Sequence, residues 1–311
     1  MSYETERQFD ESDFSRSNSC TICNSTNIEA IGTRLTIHPN SRFSVQIRRC
    51  LDCDHWDTYP MPKADLLALL YSESSLSVLG ENWASAVETG NRKESLAPDS
   101  HWIVKDLLHV KPANFLEIGP GGGSLLRKMR QLGWNAYGVD LGSYASGFQV
   151  VSSLSQLPGS VSYDVIVFQD VLEHVSDPSY ELSSYLSLLN PGATLFMTVP
   201  WSESRTARFG KTEWEMVRPL GHLHYYSKRS AKFLLERNNF EVFSITTVNV
   251  HGDLPQRAKS LARSTLGIAF AMLRPSRWKD LRNRINCTKT LMRSLTDANG
   301  DQLYIKARKL F

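Results

Sequence analysis

The stretch Asn114–Asp140, NFLEIGPGGGSLLRKMRQLGWNAYGVD, constrains this chain more than any other. Phe115 to Ile118 is a short apolar run that breaks off into glycines, the pattern of a buried strand. Gly119, Gly121, Gly122 and Gly123 follow, where the backbone can turn through positive φ and a ligand can approach the main chain. Ser124 to Leu132 sets Leu125, Leu126, Met129 and Leu132 at helical spacing, and Gly133 predicts the helix end. Ala136 to Val139 predicts a second strand, closed by Asp140. Strand, glycine loop, helix and strand make the first half of a doubly wound α/β sheet.

Two acids sharpen this reading. Glu117 stands just before the first glycine, and Asp140 ends the next strand, where an acid can accept hydrogen bonds from ribose hydroxyls. A carboxylate at Glu117 would repel a diphosphate, whereas a cofactor with a cationic end tolerates it. The run Glu117-Ile-Gly119-Pro120-Gly121-Gly-Gly123 resembles motif I of the class I S-adenosylmethionine (SAM) methyltransferases. The resemblance implies a Rossmann-like seven-stranded doubly wound sheet with SAM as cofactor. It assigns Glu117, Gly119, Pro120, Gly121 and Gly123 to the methionine half, Asp140 to the ribose, and Leu141 and Gln169 as further contacts. The sequence departs from the pattern at its third strand, Gln149 to Ser152, which no acid follows. Ser152, Ser153 or a backbone carbonyl must then meet the adenine amine.

Four of the five cysteines form two C-x-x-C pairs, Cys20/Cys23 and Cys50/Cys53. That doubled spacing can wrap one metal ion, and four thiolates leave no open position, so the expected zinc is structural. Asn24 and Asp54 follow the second cysteines; they are the non-glycine types that best tolerate positive φ. Arg42 to Arg49 alternates like a hairpin strand. His55 is a poorer fifth candidate. A zinc ribbon, a Pro-x-Pro turn with a Leu/Tyr helix and then a SAM motif resemble bacterial methyltransferases with an N-terminal ribbon. Several of those act on sugars or related metabolites in polysaccharide and natural-product pathways.

Further on, Tyr163 to Phe168 predicts a fourth strand closed by Gln169-Asp170, and Val171-Leu-Glu-His174 follows. This resembles the strand-four motif of the ubiquinone- and menaquinone-type enzymes (methyltransferase types 11, 12 and 23) and places His174 at the pocket mouth. Tyr180 to Leu189 predicts a helix, Ala193 to Val199 a fifth strand, and a polar insertion precedes Gly221-His222-Leu-His224-Tyr225-Tyr226-Ser227. Lys228 to Asn238 and Phe240 to Val248 predict a last helix and strand, and Gln302 to Lys309 an antiparallel seventh strand. The domain plan is a disordered tail over 1–19, a zinc ribbon over 20–60, a helical connector or cap over 61–110, a SAM-binding domain over 111–250 and a basic helical extension with the last strand over 251–311. Asp99 is the expected cap of a helix running to His109, and Trp83 and Trp102 are expected near the cap.

Methyl transfer to a hydroxyl or carbon acid needs a base near neutral pKa, which suits histidine. His222, His224 and His174 are the candidates, with His222 favoured because it follows flexible Gly221, and Asp170 or Tyr225 as orienting partners. If the segment is an extended strand, His222 and His224 point to one face. The acceptor expected is a small molecule such as a sugar or sugar nucleotide. Pro255 to Phe311 holds thirteen Lys/Arg against three Asp/Glu, which suggests an anionic surface or polyanion contact through 255–295, or a homodimer face. The polar N-terminus and the brevity of Leu266 to Leu273 argue against a leader or a membrane span, so the cytoplasm is expected. Two other readings stay open. One is an RNA-binding or RNA-methylating protein using the ribbon and basic segment, though basic–aromatic interleaving is missing. The other is an NAD-dependent oxidoreductase, disfavoured by Glu117 and by Ser124 at the third glycine position.

Overall fold

The computed structural model describes residues 10–38, 41–71, 96–97, 101–141, 149–248 and 300–311. The connector helix expected over Leu76 to Leu96, with Trp83, Asp99 and the basic segment 255–295, lies outside these residues.

The body is a seven-stranded sheet. Its strands are β6 (Asn114–Ile118), β7 (Asn135–Val139), β8 (Val150–Val151), β9 (Tyr163–Gln169), β10 (Leu189–Pro200), β12 (Phe240–Val248) and β13 (Gln302–Lys309). Across the sheet they run β12-β13-β10-β9-β6-β7-β8. Strands β8 to β10 pair in parallel through β7, β6 and β9, while β13 is antiparallel to both β10 and β12. The seventh strand therefore stands where the sequence placed it. Strand β6 is the switch point, pairing with β7 on one side and β9 on the other, so a crevice opens at its carboxyl end. Phe115, Leu116, Ile166, Val167 and Leu195 are essentially inaccessible, as befits strands covered on both faces.

Helices cover the sheet. They include α2 (Trp102–Leu107), α3 (Ser124–Gln131), α4 (Pro178–Ser184) and α6 (Lys228–Arg237), after a short α1 (Ala64–Tyr71), while α5 (Arg205–Gly210) lies in the insertion after β10. Helix α2 starts at His101. Helix α4 stops at Ser184, short of the expected Leu189, and a single 3-10 turn at Leu186–Leu188 feeds β10. Leu189 already pairs with Tyr163, so the ladder claims it before the helix can.

The second sheet joins the N-terminal ribbon to the body. The hairpin of β2 (Ile28–His38) and β3 (Ser41–Cys50) pairs with β4 (Trp56–Tyr59), and β4 pairs in turn with β11 (His224–Tyr225) from the body. Strand β4 would otherwise present open hydrogen-bonding groups. Val45, Ile47 and Trp56 pack against Trp214, Val217 and Tyr225, which joins the insertion after β10 to the ribbon. The tail expectation also changes. Asp10 caps a 3-10 turn, and β1 (Phe14–Ser15) pairs with β5 (Met61–Pro62). Phe14 reaches the apolar cluster of Met61, Leu66, Leu67, Leu220 and Leu223, which orders the chain from Asp10 onward.

Candidate functional site

The glycine loop leaves β6 through Gly119 at φ +63, where an added Cβ would lie 2.9 Å from Val171 Cγ2. A side chain is thus refused on two grounds, backbone strain and the β9 loop that presses on it. Gly123, also left-handed at φ 70, starts α3. Between them, Gly121 N–H donates to Asp140 Oδ2 at 2.9 Å, so the loop and the end of β7 share a hydrogen bond. Pro120 is buried beneath the loop, and Leu141 is 71% exposed beside Asp140.

Glu117 is the unusual member. Its side chain is buried, and its Oε2 has no hydrogen-bond partner. Burial, and then the nearby Asp140 charge, push its carboxyl up to about 8. A buried acid with an orphaned oxygen fits a cationic ligand group, which would restore the carboxylate. At the far rim, Ser152 is taken up locally: its N–H and hydroxyl meet Gln156 Oε1 at 2.9 and 3.1 Å. Gln169, at the end of β9, lies within hydrogen-bonding reach of His101, whose ring stacks on Trp102 at 4.7 Å.

The other half of the crevice begins at Asp170. Its backbone is left-handed at φ 55. Thr198 Oγ1 donates to Asp170 Oδ1 at 2.9 Å, and Gln302 Nε2 donates to the same oxygen at 2.7 Å. Burial pushes the Asp170 carboxyl up to about 6 despite those bonds. Asp170 therefore ties β9 to β10 and β13 and has no side-chain bond to a histidine. Thr198 and Gln302 carried no local sequence signal, because the Gln302 contact spans 132 residues.

Glu173, His174 and His222 come together. Their ligand atoms lie within 4.8 Å of one another. His174 Nδ1 faces the Gly221 carbonyl at 2.5 Å, so Nδ1 carries the proton, and Nε2 lies 4.0 Å from Glu173 Oε1. The His174 and His222 rings meet edge to face at 4.9 Å. Burial holds His174 down at about 4 and keeps His222 well below the ordinary imidazole value, so both are neutral near pH 7. Burial, with Asp170 nearby, raises Glu173 well above the carboxylate range. Glu173 Oε2 and His222 Nδ1 are both buried without partners. Glu173 was not singled out from the sequence, although the Leu172-Glu173-His174 run contained it.

His224 does not join them. Its Nδ1 lies 3.0 Å from His55 Nε2, its ring is fully buried, and Tyr226 meets the His55 ring edge-on. The expectation that His222 and His224 share a face fails because the chain turns at Gly221 and only His224–Tyr225 is extended. His55 bridges the ribbon to β11 through this pair. Tyr225 holds His222 through the backbone, donating its hydroxyl to the His222 carbonyl at 2.7 Å. Thr58 of the ribbon grips the same turn, its N–H donating to the Leu223 carbonyl at 3.0 Å.

The four cysteines also converge. Cys20 and Cys53 sulfurs are 3.7 Å apart, and Cys23 and Cys50 sulfurs 3.5 Å. A tetrahedral site with metal–sulfur bonds of about 2.3 Å puts sulfurs about 3.8 Å apart, which these donors fit. Asn24 and Asp54 take φ 61 and 59, as their positions after the cysteines led one to expect.

Residues 92–245, about half the chain, match the family model described as a methyltransferase domain. The structure is also similar to phosphoethanolamine N-methyltransferase 2 of Haemonchus contortus bound to S-adenosyl-L-methionine, with a TM-score of 0.51 at 15% identity, covering 89% of this chain and 71% of that one. The chain has the class I methyltransferase fold. Antiparallel β13 between β10 and β12 sets this methyltransferase sheet apart from the parallel dinucleotide-binding one, which removes the structural basis for the oxidoreductase reading. Among curated relatives, the ubiquinone biosynthesis O-methyltransferase of Xanthomonas euvesicatoria pv. vesicatoria is 32% identical over 139 residues, 39% of this chain and 57% of that protein. That of Burkholderia vietnamiensis is 32% identical over 107 residues, 29% of this chain and 45% of that protein. The chain thus spans about half the length of the curated relatives it matches. Among the described residues, no helix is long and apolar enough to cross a membrane.

Proposed function

We propose that this chain transfers a methyl group from SAM to an oxygen or carbon of a small-molecule acceptor, a sugar or related metabolite. The observation that carries the reading is the pairing of two unsatisfied sites at one sheet edge. Glu117 offers a buried orphan carboxyl on the cofactor side, and on the other Glu173 Oε2 and His222 Nδ1 are buried without partners beside His174. When bound, SAM supplies a methyl already activated on a sulfonium, so the protein must position the acceptor and take its proton. Glu117 would hold the ammonium of the methionine half, the loop Gly119–Gly123 would cradle it, and Asp140 would accept from the ribose. Gln169 and exposed Leu141 would flank the nucleoside.

On the acceptor side His222 is the proposed base. Its neutral imidazole has an Nδ1 without a partner, and Glu173 lies beside it. His174, fixed by the Gly221 carbonyl, keeps the Glu173 side of the cluster oriented. His224 is a support for this turn and does not exchange protons with the acceptor. The ribbon cysteines would hold one structural zinc, and their knuckle backs the same turn. The test is labelled methyl from SAM offered to a panel of sugars, sugar nucleotides and phenols. Incorporation that needs His222 supports the reading; SAM failing to bind defeats it.

One observation favours a second route for the same reaction. Two histidines and a carboxylate within 4.8 Å are also a divalent-cation donor set. A cation there would lower the pKa of an acceptor hydroxyl directly. Activity that survives exhaustive chelation in a ribbon-intact protein would leave only the base route.

A further inference from the structure

A cleft of about 280 Å³ opens on the ribbon side of the loop that carries Glu173 and His174. Its walls come from the N-terminal segment, from the end of β4 with Lys63, and from Ser176 and Asp177 just past His174. Met61 lines it too, and Met61 packs with Leu220 and Leu223, the neighbours of Gly221 and His222. One wall therefore rests on the turn that holds His222.

Among the residues lining this cleft, Arg48 and Lys63 carry positive charge and Asp177 carries negative charge. Asp177 caps its own helix, accepting from Ser179 and Tyr180 N–H at 3.0 Å each through one oxygen, and keeps its charge. Asp57 is spent on Arg48, which it grips through Nε and Nη2 at 2.9 Å. Arg48 gives a third bond to the Ser17 carbonyl at 2.7 Å and lies 4.3 Å from the Tyr59 ring centre. Arg48 is 7% exposed, lines the cleft, and its guanidinium is fixed from behind. A guanidinium has five N–H donors, so two remain after those three bonds. Lys63 lines the cleft as well, and its ammonium makes no ion pair among the described residues. Thr21 Oγ1 is buried in the same wall without a partner. After these bonds the Lys63 ammonium, two guanidinium donors and a hydroxyl are left over. Those converging donors suit the oxygens of an anion, and Arg held in a planar fork is suited to phosphate oxygens. The volume falls just below the usual range for whole-ligand pockets, so it suits one part of a larger acceptor.

We propose that this cleft is the recognition subsite for a phosphate group borne by the hydroxylated acceptor, with Arg48, Lys63 and Thr21 as its donors. The proposal rests on the methyltransferase reading and deepens it, because it makes the acceptor a phosphorylated or nucleotide-linked sugar. Full-length protein saturated with S-adenosylhomocysteine is titrated with glucose 1-phosphate and, separately, with glucose, by calorimetry or ligand-observed NMR. Glucose 1-phosphate is expected to bind and glucose not. Lys63→Gln is expected to weaken it about tenfold or more, the usual effect of losing a charged hydrogen bond, and Thr21→Val to weaken it by less. Both variants should keep the parent affinity for S-adenosylhomocysteine. Equal binding of the two sugars, no binding of glucose 1-phosphate, or an unchanged affinity in both variants overturns the proposal. Failure of S-adenosylhomocysteine to bind the parent overturns the underlying methyltransferase reading instead.

Discussion

The two halves of the crevice are built in different ways. The cofactor half comes from one continuous unit, β6 through β7, in which Gly119, Gly121 and Asp140 bond or pack locally. The acceptor half is assembled from distant pieces. Glu173 and His174 follow β9, His222 follows the insertion, Thr58 and His55 come from the ribbon, and Gln302 from the last strand. A local unit keeps its geometry so long as its own strands and helix form. An assembled one depends on every segment that meets there, so it should be the easier half to disable and the freer one to change specificity.

The largest expected effect removes the ribbon's proposed metal. Ser227 Oγ donates to the Cys53 carbonyl at 2.7 Å, and Thr58 binds the Leu223 carbonyl, so loosening the knuckle loosens the His222 turn. Chelation should abolish methyl transfer while SAM binding persists, because β6 to β10 pair without the ribbon. Calorimetry on the chelated protein checks this. Loss of SAM affinity in step with activity would show that the halves are not separable, a real risk since Cys20, Cys50 and Cys53 share a core with Tyr226 and Leu235. Elemental analysis of the reduced protein should find zinc.

Next in size is His222→Ala. Turnover should fall by about 10²–10⁴ with SAM affinity unchanged, the pattern of a lost general base. His224→Ala should act differently, lowering thermal stability through the lost His55 contact. If His224→Ala has the larger effect on turnover at equal stability, the assignment of His222 is wrong.

The converse experiment strikes the cofactor half. Asp140→Ala should weaken SAM by about 1.5–3 kcal/mol, the worth of a charged hydrogen bond. Once SAM is saturating, turnover should recover. A turnover loss that saturating SAM does not repair would mean that the halves communicate.

The smallest effect is a pH dependence. Glu117 rests near 8 in the free protein, so below that pH it is largely protonated and a cationic ligand must displace the proton. SAM affinity should therefore fall as pH drops below about 8, by at most about tenfold per pH unit. Glu117→Gln should weaken binding and flatten that slope. The stability of the free protein runs the other way. The raised pKa gives a contribution present below the ordinary value of 4.5 and lost as pH rises through about 8. A slope retained in Glu117→Gln would place the titrating group elsewhere.

Much of this was legible in the residues. The glycine loop, its two acids, the seventh strand at Gln302–Lys309 and the positive φ of Asn24 and Asp54 each follow from a local pattern, either a period, a glycine cluster or a fixed cysteine spacing. Local patterns are readable because neighbouring residues face the same constraint. The acceptor side was legible only as residue types. Gly221-His-Leu-His224 offered two histidines, but the turn that separates them is imposed by Thr58, Tyr225 and the Glu173 carbonyl, all distant in sequence or across the turn. His55 looked like a spare metal ligand and is instead half of a buried pair with His224. Asp170 looked like a partner for histidine and is claimed by Thr198 and Gln302. By itself the sequence determined the sheet, the cofactor loop and the cysteine knuckles, whose conformations are set within a few residues of chain. The tertiary structure alone decided which histidine meets Glu173, which acids are already bonded and where donors are left without partners, because burial and pairing across distant segments set those quantities.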